Sequence, residues 1–126
     1  MEKSIVISIK PEFATKILLG NKRCEFRKSK CKTSVKKVYF YATSPVKKVV
    51  GEAILANIIT GNKEEIWENY KRFGGISKDY FDKYYMNNSE AIVYLLENPR
   101  GYTVPKDLKS LGINSVPQSF CYIKEE

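Results

Sequence analysis

The sequence predicts one α+β domain, residues 1–126, built around a curved, mixed β-sheet with short helices packed on it. Three observations predict it. Short β-rich segments recur along the chain and are separated by helical stretches of a few turns. No long βαβ unit with a glycine-rich phosphate loop is present, and Gly74-Gly75 alone does not make one, so a Rossmann or P-loop nucleotide domain is set aside. The 126 residues, 43% of them hydrophobic, suffice for one core and are too few for two.

Ser4 to Ile9 alternates and is rich in β-branched residues, which reads as a strand. Lys10-Pro11 stops it, and Pro11 suits the first position of a helix whose apolar positions are Phe13, Ala14, Ile17 and Leu18, ended by Gly20. Cys24 to Arg27 is a short alternating strand, with Cys24 and Phe26 on one face and Glu25 and Arg27 on the other. Residues 28–37 have almost no apolar content and read as a loop into a buried strand, Val38 to Ala42, which Thr43-Ser44-Pro45 punctuates. Val49 to Ile59 is a long strand in which Gly51 marks a bulge or bend; a sheet that curls there closes toward a barrel.

Asn62 followed by Glu65 is a capping-box-like start for a helix through about Phe73, with Ile66, Trp67 and Tyr70 as its apolar face and Gly74-Gly75 as its end. Ser77 caps a second short helix, Lys78 to Tyr85. Glu90 to Glu97 returns as a strand, Asp107 to Leu111 makes one helical turn stopped by Gly112, and Ser119 to Ile123 is the last strand.

Charge is distributed unevenly. The chain carries 22 basic and 14 acidic side chains, net +8, but residues 1–50 hold 13 of the basic and three of the acidic ones, net +10, so the rest of the chain is net −2. An anionic partner is therefore the first to consider. There is no histidine, which excludes Ser-His-Asp and Cys-His machinery, HExxH zinc sites and imidazole bases. Cys24, Cys31 and Cys121 are odd in number, show no CxxC spacing and are too few for a four-cysteine zinc site, so no metal and no cofactor is expected. A reduced, cytoplasmic setting follows. The apolar run Ile5-Val6-Ile7 is too short for a signal segment or a membrane span, so no membrane association is expected either.

Residues 20–37 are the densest feature: Lys22, Arg23, Arg27, Lys28, Lys30, Lys32, Lys36 and Lys37 gather around one acid, Glu25. On an exposed loop such a run neutralises phosphates and releases their counterions, and it also matches a solvated face that binds nothing. Cys24 and Cys31 lie beside these basic residues, which would favour the thiolate and make them redox-sensitive thiols.

Gly20-x-Lys22-x-x-Glu25-x-Arg27 resembles the GxKxxExR signature of the ASCH (activating signal cointegrator homology) domain, a β-barrel family similar to the PUA RNA-binding domain. The opening residues 8–20, the YATSPVKKVVGE segment at 41–52 and the closing PQSFCYI at 117–123 resemble small ASCH proteins too, so the likeness covers nearly the whole chain in order. It implies a PUA-like barrel of about five or six strands. It also implies a positively charged cleft between barrel and helix for RNA or a modified nucleotide, lined by Lys22, Glu25 and Arg27. Arg27 can fork onto a phosphate or base edge, and Glu25 can orient it or accept from an exocyclic amine. A surface Glu-Arg-Lys network of little energetic weight is the plainer reading.

Lys10, Ser44, Lys47 and Gln118 sit at strand ends or turns, where barrels present ligands and where turn chemistry alone also places such residues. Phe120 and Tyr122 share a face of the last strand and read either as a stacking platform or as core. The stripe Tyr80, Phe81, Tyr84, Tyr85 is explained by packing on the sheet, a protein-partner surface being the other reading.

Binding of RNA or a nucleotide, in a regulatory role and with no catalytic residue, is the first functional expectation. The resemblance also implies hydrolytic relatives, an amidohydrolase acting on N4-acetylcytidine through Lys, Thr and Glu, and a ribonuclease. A lysine-activated threonine needs no histidine. Lys22 is in place for the amidohydrolase, but Glu25 stands where its threonine would be.

Overall fold

Both faces of β1 (Lys3–Ile9) are covered, because its alternating isoleucines and its Val6 face two different apolar layers: Ile5, Ile7 and Ile9 point into the main core, and Val6 into a smaller one. The computed structural model describes residues 3–123. After β1, Pro11 opens α1 (Pro11–Leu18) at its first position, Phe13, Ala14 and Ile17 are buried, and Gly20 turns the chain with φ +84°. Next come β2 (Cys24–Arg27), β3 (Val35–Ala42) and β4 (Lys48–Asn62). Asn62 then caps α2 (Lys63–Tyr70), its side chain accepting from the Glu64 and Glu65 amides. Ser77 caps α3 (Lys78–Tyr84) through the Tyr80 amide, and β5 (Glu90–Lys106), a single 3-10 turn (Leu108–Leu111) and β6 (Phe120–Tyr122) complete the fold.

The six strands form one sheet in the order β2-β5-β4-β3-β1-β6. Only β1 and β3 are parallel, and every other pair is antiparallel, which is the mixed sheet expected. The expected barrel needs one correction. The ladder does not close: β2 and β6 remain edges, and side chains instead of backbone pairs bridge the gap between them. Arg27 of β2 reaches the Ser8 carbonyl on β1 and both Ser119 oxygens just before β6, and the Lys32 amide donates to the Tyr122 hydroxyl. At the other end of β1, on the same β6-facing side, the Ile123 amide donates to the Ser4 carbonyl at 3.0 Å.

Strand β5 extends nine residues past the expected Glu97, to Lys106. The strand does not stop at Glu97: Asn98 takes φ +50° inside a bulge and pairing with β4 resumes at Arg100 opposite Glu52 and Gly101 opposite Gly51. Proline is tolerated there because a bulge residue owes the ladder no amide. The two facing glycines form a notch into which Leu18 packs. A Cβ on Gly51 would stand 2.6 Å from the Arg100 carbonyl oxygen and 2.6 Å from a Leu18 methyl.

Three apolar layers result. The main one lies inside the curl, from Ile5 and Phe13 to Phe40, Leu55 and Tyr94; the second packs Phe26 and Val93 under Trp67, Phe81 and Tyr85 of the helices; the third seats the 3-10 turn on Tyr41 and Val49. Gly51→Ala is expected to cost about 1–3 kcal/mol by overpacking. Urea unfolding should show this, and Leu18→Ala in the same chain should recover only part of the loss, since the Arg100 carbonyl remains.

Candidate functional site

Strand parity directs β2 both ways. Cys24 and Phe26 enter the helix-covered layer, Glu25 and Arg27 face the opposite way, and all four are buried. Two buried ions of opposite sign on one short strand must satisfy each other, since a lone buried charge costs several kcal/mol. Glu25 Oε2 accepts from Arg27 Nη1 at 3.1 Å, and its Oε1 is 3.2 Å from the Lys22 ammonium. Lys22 is only 1% exposed. Its Nζ also donates to the Gly74 carbonyl and sits 5.4 and 5.7 Å from the ring centres of Phe13 and Phe26. The glycine pair makes this approach possible: a Cβ on Gly74 would overlap the Phe26 ring, and Gly75 adopts φ +63° against the Lys22 stem. The plainer reading of these three residues as a surface network is thereby overturned. They form a buried triad of net charge +1.

Arg27 is held from every side. Besides Glu25, Nη1 donates to the Ser8 carbonyl at 3.1 Å, while Nη2 donates to the Ser119 carbonyl at 2.9 Å and to Ser119 Oγ at 3.0 Å. All four terminal N–H groups have protein acceptors, so the fork expected to grip a phosphate is spent on the fold.

Over Glu25 and Arg27 opens a cavity of about 170 Å³. Ser8, Ile9 and Lys10 form one side, Phe13 and Phe26 the apolar base, and Tyr80 and Tyr84 of α3, with Ile76 just before that helix, the opposite wall. Two lysine-tyrosine pairs lie alongside: Lys10 Nζ is 5.0 Å from the Tyr80 ring centre and Lys28 Nζ is 4.7 Å from that of Tyr84. Such a volume is below the usual range of about 300–1,000 Å³ for cofactor pockets and suits one planar ring. Among the described residues, no three His, Cys, Asp or Glu side chains gather as a metal-binding group.

Of the residues singled out in the sequence, Glu25, Arg27 and Lys10 line this cavity, and Lys22 lies behind its base. Ser44 and Lys47 are exposed on the β3–β4 turn, where Lys47 borders a separate shallow groove with Tyr41 and Asp107. Gln118 is exposed between Pro117, whose carbonyl accepts from Ser8 Oγ, and Ser119, which Arg27 holds. Ser8 and Ser119 were not legible as site residues, because lone serines carry no pattern. Tyr80 and Tyr84 were visible as half of the aromatic stripe. The other half, Phe81 and Tyr85, is core, with Tyr85 donating its hydroxyl to the Arg27 carbonyl at 2.7 Å. Phe120 packs against the main core, and the Tyr122 hydroxyl serves the seam.

The cysteines correct another expectation. Burial pushes the Cys24 thiol up to about 12, the Lys22 ammonium opposing it only in part, and burial raises Cys31 and Cys121 as well. The nearby cations therefore do not produce a thiolate. In the folded protein at pH 8, Cys24 and Cys31 should resist alkylation by iodoacetamide and react once urea unfolds the chain, as mass spectrometry of the labelled protein would show. Glu25→Ala leaves two buried cations without their anion and should cost about 3–5 kcal/mol. Lys48→Met, which removes an exposed pair with Asp107, should cost about 0–1 kcal/mol in the same urea titration.

The comparisons agree with this architecture. A family model described as a domain of unknown function, DUF365, matches residues 2–124. An ASCH domain-containing ribonuclease of Zymomonas mobilis is 33% identical over 128 residues, covering 98% of this chain and 86% of that protein. The ATP synthase subunit alpha and the large ribosomal subunit protein uL22 of Ureaplasma parvum contain stretches 36% and 34% identical to it. The chain spans 16% and 40% of their respective lengths. The crystal structure of ASCH from Zymomonas mobilis superposes with a TM-score of 0.89 at 31% identity, covering 98% of this chain and 89% of that one. With Glu25 and Arg27 of the motif on β2 and Gly20 and Lys22 in the turn before it, the open six-stranded sheet and a relative matched over 98% of this chain, the chain belongs to the ASCH domain family.

Proposed function

We propose that this protein binds RNA, taking one base into the cavity above Glu25 and Arg27 while exposed lysines hold the adjoining phosphates. The observation that carries the reading is the pairing of a base-sized, aromatic-walled cavity with Lys10 and Lys28 beside its tyrosines. The basic run supports it, since Lys28, Lys30, Lys32 and Lys36 are all exposed and follow directly from β2. The fit with a polymer is better than with a free nucleotide, because the buried Arg27 offers no fork to a terminal phosphate and the remaining cations are spread along the surface. A cytoplasmic setting accords with three free cysteines, and among the described residues no helix is long and apolar enough to cross a membrane.

A second reading, cleavage of the bound RNA, is favoured by the name of the Zymomonas relative, an ASCH domain-containing ribonuclease matched over 98% of this chain. Deacetylation of N4-acetylcytidine is not supported. Glu25 is a poor amide nucleophile, and Lys22 is committed to Glu25 and Gly74 inside the protein.

Affinity for a short single-stranded RNA should fall with log salt at a slope of about −0.7 per phosphate neutralised. Lys10→Ala and Lys28→Ala should each flatten that slope by about 0.7 without changing the melting temperature. Absence of binding at low salt would refute the proposal. Incubation of end-labelled RNA with the protein, followed by gel electrophoresis, tests the second reading: cleavage that co-purifies with the folded protein establishes it, and intact RNA excludes it.

A further inference from the structure

The cavity has in its lining an acceptor, Glu25, whose contacting donors are already committed within the protein. Glu25 receives Lys22 on one carboxylate oxygen and Arg27 on the other, which leaves further lone-pair sites on an ionised group that can accept about four hydrogen bonds. The donors in contact with it, and the Ser8 hydroxyl, are committed: the four terminal N–H groups of Arg27 to Ser8, Glu25 and Ser119, and the Ser8 hydroxyl to the Pro117 carbonyl. Glu25 therefore offers acceptor capacity beside Phe13, Phe26 and Ile76, which cannot hydrogen-bond at all, while Lys10, Tyr80 and Tyr84 carry the donors that remain in the lining.

We infer that the cavity selects a base carrying an exocyclic amino group, cytosine among the pyrimidines, over uracil. The inference rests on the RNA-binding reading and narrows it. A ring seated against the aromatic wall with its amino edge inward gives Glu25 a neutral N–H donor. Uracil in the same pose turns a carbonyl oxygen toward the carboxylate, so two acceptors lose their water and face each other without a donor between them. A cationic occupant, such as an arginine or lysine side chain of a protein, fits the acceptor less well than a neutral amine does. The triad already carries net charge +1, and a further buried cation would meet Lys22 and Arg27 with the same sign.

The ligand side supplies the decisive experiment. Fluorescence anisotropy at low salt would compare an oligouridine with the same oligomer carrying one central cytidine, and with one carrying 2-pyrimidinone, which differs from cytosine only in lacking the exocyclic amino group. The cytidine oligomer should bind about tenfold tighter than the oligouridine, the size of one good base contact, and 2-pyrimidinone should lose most of that gain. Equal binding of cytidine and uridine oligomers overturns the inference and leaves RNA binding standing, whereas failure of both to bind removes the RNA-binding reading itself. Glu25→Gln, if its melting curve shows a folded protein, should bring the cytidine preference close to one; an undiminished preference in that variant also overturns the inference. If the variant does not fold, the three-oligomer comparison on the native protein still decides.

Discussion

One carboxylate keeps two buried cations in place, and most of the tertiary structure near the site depends on that. Without Glu25, neither Lys22 nor Arg27 has an anion within reach, and both lie where water does not compensate. Arg27 is also the tie between the sheet edges, and Lys22 is the tie between the motif and the Gly74 turn that joins α2 to α3. The three short contacts therefore connect the sheet seam, the helical layer and the cavity. Such a triad is seldom a net gain over apolar packing, so its value lies in the geometry it imposes. It sets Glu25 beneath the cavity with its remaining lone pairs unspent.

The helical wall shows how a simple repeat serves two purposes. Residues four apart on α3 share a face, so Tyr80 pairs with Tyr84 and Phe81 pairs with Tyr85, one residue around the helix. The second pair packs beneath Trp67 and Phe26, with Phe81 4.9 Å from Trp67 and 5.1 Å from Phe26 between ring centres. The first pair, more exposed, faces the cavity. Core packing thus fixes the angle at which Tyr80 and Tyr84 present themselves, and Tyr85 adds a hydroxyl bond to the backbone of Arg27.

Local chemistry was legible from the sequence, and closure was not. Pro11, Gly20, Asn62, Ser77 and Gly112 act within a few residues of themselves, and the structure places their caps and turns where those residue types demand. Strand β5 runs past Glu97 because the partner strand β4 makes a bulge of Asn98-Pro99, two residue types that alone favour a turn. The open seam was invisible for a related reason: alternation tells which way a side chain points and not whether the last strand meets the first. The Glu25–Arg27 pairing followed from parity along β2, but the burial of Lys22 depended on Gly74, 52 residues away. The charge run likewise could not reveal that burial raises the thiols beside it, since desolvation belongs to the packed interior and lysines to the surface.

The antiparallel meeting of β1 and β6, with Ile123 bonded to Ser4, has an architectural meaning for larger polypeptides. A fold whose entrance and exit lie side by side can be spliced into a loop of a host, or hung from it on two short tethers, without stretching either partner. The matching stretches within the far longer ATP synthase and ribosomal proteins of Ureaplasma parvum are the kind of setting this permits. Portability of that sort asks nothing of the host except a surface turn, and it leaves the cavity to be carried along as a finished part.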